Sequence, residues 1–117
     1  MEGIFEKLKD IKCDVIFPSS VFKNTYVSNR LTDSTLRKIA QQQVALVEQD
    51  IDASYFNTAK KLCEQYGFVY CDCHAKWKKM YENGVDTTNL LSNSLNHPIR
   101  ELHWLFAYSL VEAIFEN

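Results

Sequence analysis

No run of apolar residues in this chain is long enough to cross a membrane. A span needs about 20 of them in succession, and polar or charged side chains interrupt every shorter run. Blocks of basic residues are missing too. The net charge is -2, and Lys60-Lys61 and Lys78-Lys79 are isolated pairs that read as solvated helix faces. Nucleic acid and anionic lipid attract clustered positive charge, so neither is an expected partner. The opening MEGIFEKLKDIK carries charges where a secretory signal would have its apolar core, which points to a cytoplasmic setting. The 4 cysteines then read as reduced thiols, with Cys13, Cys63 and Cys71 in or beside apolar faces. Cys71, Cys73 and His74 sit closer together than structural zinc ligands do, and no second Cys or His pair is near them. Neither a metal nor an organic cofactor is expected. Only 3 glycines occur, and none flanks Ser19 or Ser20, so those serines lack the surroundings of a nucleophile elbow. Repeats, low-complexity tracts and linkers are absent, which leaves a single domain over residues 1–117.

What is present alternates between two periods. Residues 2–10 carry Ile4, Phe5 and Leu8 on one helical face. The β-branched run CDVIF at 13–17, stopped by Pro18, predicts a buried parallel strand. After a polar loop, Thr32 and Asp33 offer N-cap chemistry for a helix facing inward through Leu36, Ile39, Ala40, Val44 and Val47. A break near DIDAS starts another helix, with Tyr55, Phe56, Ala59, Leu62, Cys63 and Tyr66 on its face and Gly67 as its stop. FVYCD at 68–72 predicts a second strand, followed by a helix holding Ala75, Trp77, Met80 and Tyr81 that ends near Gly84. A last helix is expected from about Pro98 to Phe115, with Leu102, Phe106, Leu110, Val111 and Ile114 on its apolar stripe. Strands alternating with helices imply a parallel sheet covered on both faces. Two strands are few for an independent sheet.

One side chain stands apart. In LSNSLNHPIRELHW a polar run ends at His97, and Pro98 follows at once. A residue before proline is pushed out of the α region, and proline suits the first turn of a helix. His97 should therefore lie just outside a helix, whose positive dipole end disfavours imidazolium. A neutral imidazole on a stiff hinge is what a general base requires.

The block GVDTTNLLSNSLNHPIRELHWLFAYSLVEAI resembles the C-terminal part of SGNH (GDSL-type) esterases and acylhydrolases, in which a His-Pro pair precedes the last helix. CDVIFPSSVF is similar to that family's late strand and loop. LCEQYGFVYCDCHAKWKKM is similar to its next helix, strand and helix, with Asp72 and Trp77 at matching places. The resemblance implies an α/β, flavodoxin-like three-layer α/β/α fold, present only in its C-terminal part. It also implies His97 as catalytic base in the hydrolysis of an ester bond. The family usually has an aspartate three residues before that histidine. Here Ser94 holds the place and Asn93 precedes it, so neither can stabilise imidazolium as a carboxylate would, although Asn93 can orient the ring. The family's Gly-Asp-Ser nucleophile block is missing, as are its oxyanion glycine and Asn-Asp motif.

The chain by itself is therefore expected to be inactive. Its expected partners are a small ester, once the N-terminal half is supplied, and a second copy or another chain that completes the sheet. The other reading is a non-catalytic remnant that serves as a binding or assembly module.

Overall fold

The structure is a computed structural model describing residues 1–115. Its elements are α1 (Glu2–Ile11), β1 (Ile16–Pro18), α2 (Ser34–Glu48), α3 (Ile51–Tyr66), β2 (Val69–Cys71), α4 (Cys73–Glu82) and α5 (His103–Phe115). Two 3-10 turns, Thr87–Leu90 and Arg100–Leu102, lie between α4 and α5. None of the described helices is long and apolar enough to cross a membrane.

β1 and β2 pair in parallel, with Ile16 opposite Val69, Phe17 opposite Tyr70 and Pro18 opposite Cys71. Alternation along a strand sends successive side chains to opposite faces. Phe17 stacks on Tyr70 at 6.1 Å and meets Phe5 of α1 at 6.0 Å, so α1 lies on this face, with α3 packed beside it. Ile16, Val69 and Cys71 point the other way, into a cluster with Leu105, Phe106, Leu110 and Ala113 of α5. The result is a mixed α/β protein with helices on both faces of a small parallel sheet.

Local sequence explains most element ends. Asp33 Oδ1 accepts the Leu36 N–H at 3.0 Å and starts α2. Asp72 Oδ1 does the same for α4 through Ala75 N–H at 3.0 Å. Gly67 ends α3 at φ 72, the left-handed conformation that costs glycine least.

Five expectations need correcting. Leu36 and Ile39, expected on the inward face of α2, are exposed. The first strand runs over 16–18, with Pro18 inside it and not beyond it. Val15 C=O accepts from Val69 N–H and Ser19 N–H donates to Cys71 C=O, so alternate residues Val15, Phe17 and Ser19 turn their backbone toward β2. Pro18 thus faces the open edge, where its missing N–H breaks no ladder bond. Cys13 falls before the strand and is exposed. The last helix begins after Pro98: Leu91 and Pro98 form an antiparallel bridge, Ile99 is extended, and α5 opens only at His103. Finally, Val111 and Ile114 of α5 face solvent, and Leu105 and Ala113 take the inward stripe together with Phe106 and Leu110.

The segment from Thr87 to Ile99 is docked on the loop that leaves the C-terminal end of β1. Thr25 N–H donates to Thr88 Oγ1 at 2.9 Å. Leu95 packs with Leu31, Ala40 and Val27. Leu91 joins Val21, Phe22 and Trp77 in a fully apolar cluster. These contacts hold the base of the His97 loop against the loop that follows β1 and against α2.

Candidate functional site

His97 is exposed, on a loop closed at its base by the Leu91–Pro98 bridge, the 2.7 Å bond from Ser92 N–H to His97 C=O and the 2.9 Å bond from Ile99 N–H to Leu90 C=O. Asn93 shapes the loop from inside. Its Oδ1 accepts three backbone N–H groups, from Leu95 at 3.1 Å, Asn96 at 3.0 Å and His97 at 3.0 Å. Ser94 supplies the corner. It is buried in the left-handed conformation at φ 61 and makes no bond to the imidazole. A non-glycine residue held there is one device by which folds store strain near sites.

The hydrogen bonds around the ring determine its tautomer. Three N–H donors identify the inner Asn93 atom as oxygen, so the other terminal atom of Asn93 is its NH2. That NH2 donates to Asn96 Oδ1 at 2.8 Å, which makes the Asn96 atom an acceptor. His97 Nδ1 lies 2.6 Å from the same oxygen. Two lone pairs would repel at that distance, so Nδ1 carries the proton and donates to Asn96. The 3.0 Å approach of Asn93 Nδ2 to Nδ1 is then two donors sharing one oxygen. In the neutral ring the lone pair then lies on Nε2, which has no hydrogen-bond partner among the described residues. This is the tautomer that a proton acceptor needs.

Of the two residues expected to orient the ring, Asn93 holds the loop backbone and also brings its Nδ2 within 3.0 Å of His97 Nδ1, whereas Ser94 acts only on the turn. The direct partner is Asn96, adjacent to His97 and easily passed over as loop polarity. An asparagine next to a histidine in a run rich in Asn and Ser was the available signal. The helix dipole expected behind the ring is not there, because α5 starts six residues further on and the intervening Pro98 and Ile99 are extended.

Ser19 is buried at the end of β1. Its Oγ accepts His74 N–H at 2.8 Å and lies 3.3 Å from Asp72 Oδ1, a bridge between strand ends more than a reactive hydroxyl. Cys71 and Cys73 place their sulfurs 3.8 Å apart in the interior. Burial first, and then Cys71, push the Cys73 thiol up to about 12, so it stays protonated and inert. No group of three or more His, Cys, Asp or Glu side chains among the described residues is placed to hold a metal ion. No family model, curated protein or solved structure matches the chain.

Proposed function

We propose that this chain supplies the general base of a serine ester hydrolase with the flavodoxin-like SGNH fold, the nucleophile and oxyanion donors coming from a segment outside these residues. The observation that carries the reading is the His97 ring: Nδ1 tied to Asn96 Oδ1 at 2.6 Å, Nε2 open, and the loop pinned to the segment that follows β1. Nε2 would take the serine proton as the hydroxyl attacks the ester carbonyl, then return it to the leaving alcohol. Asn96 replaces the usual carboxylate. It holds the correct tautomer but brings no negative charge to stabilise imidazolium. Asn93 and Ser94 act one step back, by rigidifying the turn.

The purified chain should hydrolyse p-nitrophenyl acetate no faster than its His97→Ala variant. Turnover should appear when a polypeptide carrying the Gly-Asp-Ser half of such a hydrolase is bound to it. Saturable, His97-dependent turnover by the chain alone would refute the division of labour, and a bound but inactive complex would refute the esterase reading.

A second reading, assembly without catalysis, draws on α5. Trp104, Tyr108, Val111 and Phe115 recur at helical spacing on its outer face, exposed by 66%, 62%, 50% and 80%. Such a stripe is unusual on an isolated surface. Sedimentation should show concentration-dependent association that Tyr108→Lys weakens. A compact monomer at every concentration tested would remove this reading.

A further inference from the structure

His74 is a largely buried side chain that the His97 loop does not use. It lies in the first turn of α4 with 5% of its surface exposed, its ring between Phe22 at 5.6 Å and Phe56 at 5.0 Å. Its backbone N–H is satisfied by Ser19, and neither ring nitrogen has a hydrogen-bond partner among the described residues. Neither nitrogen is fully enclosed, so the polar edge of the ring is open where the ring borders a cleft. Burial also holds the imidazole below its ordinary pKa, outweighing the nearby Asp52 and Asp72, so the ring is neutral.

The ring borders a cleft of about 440 Å³ between α3, β2 and the start of α4. That volume suits a small organic ligand. Ser54, Asn57 and Lys60 line it from successive turns of α3, and none of their side chains is bonded among the described residues. The other charges are engaged. Lys78 pairs with Asp50 at 3.1 Å, and Asp72 Oδ1 caps α4. Lys60 is thus the free cation of the lining, about 9 Å along the helix from Ser54. Phe56 and Tyr70 supply aromatic walls.

We propose that this cleft binds a small hydroxylated aromatic carboxylate, with its carboxylate on Lys60 and Asn57, its ring between Phe56 and Tyr70, and its hydroxyl on the unpartnered His74 nitrogen. The site is separate from the His97 loop and does not depend on the function proposed for it.

The test is an imidazole-detected NMR titration of the full chain with 4-hydroxybenzoate, benzoate and phenol. The expected result is a saturable shift of the His74 ring with 4-hydroxybenzoate, and several-fold weaker binding of benzoate, which lacks the hydroxyl. Lys60→Ala, a surface change on α3, should weaken both carboxylates by about tenfold and leave phenol unaffected. His74→Phe should erase the preference for the hydroxyl. Absence of a saturable His74 shift at millimolar 4-hydroxybenzoate would overturn the proposal. So would undiminished affinity in Lys60→Ala, a variant that does not disturb the core.

Discussion

In the complemented hydrolase, His97→Ala should lower kcat/KM by about 10²–10⁴-fold, the usual worth of a positioned general base. The loss should fall on kcat, because the proton is transferred in the transition state and not in substrate binding. Asn96→Ala should cost less. It releases Nδ1 from its 2.6 Å acceptor, but Asn93 still holds the loop through three backbone bonds. Ring and tautomer are then populated part of the time, where His97→Ala removes the base entirely. Steady-state kinetics on p-nitrophenyl acetate decides it. An Asn96→Ala loss equal to that of His97→Ala would mean that the asparagine and not the imidazole geometry is limiting, and an unchanged rate in His97→Ala would end the assignment.

The second large effect is on stability. Trp77→Ala should lower the unfolding free energy by about 3–5 kcal/mol, as expected for emptying a large aromatic site. Trp77 is fully buried and joins the Val21, Phe22 and Leu91 cluster to Phe106 of α5, with ring centroids 6.5 Å apart. It therefore ties the loop after β1, the His97 loop and the last helix into one unit. Yet its indole N–H is buried without a hydrogen-bond partner among the described residues. Leaving such a donor unpaired costs about 1–3 kcal/mol. Trp77→Phe removes that donor along with some volume, so its net cost should be well below that of alanine. Urea unfolding of the three proteins measures the order. A phenylalanine variant as unstable as the alanine one would show that the indole N–H carries no penalty.

Element identity was written locally in the chain. Asp33, Gly67 and Asp72 set helix ends through bonds to residues at most four positions away, and the apolar runs at 13–17 and 68–72 announced two strands, although the first lies later, over 16–18. The α/β alternation, and with it helices on both faces of a parallel pair, followed from that order. His97 stood out through its proline neighbour. Long-range partners decided the rest. The last helix opens late because Pro98 is bridged to Leu91, a contact that no window centred on residue 98 reveals. Which stripe of α5 turns inward could not be read from periodicity, since Trp104, Tyr108 and Val111 make its outer face as apolar as its inner one. Asn96 became the ring's partner only because Asn93 folds the loop back on itself. Spacing along a chain reports which residues share a helix or a strand. Which side faces the core, and which nitrogen keeps its lone pair, depends on contacts that exist only after the chain has folded.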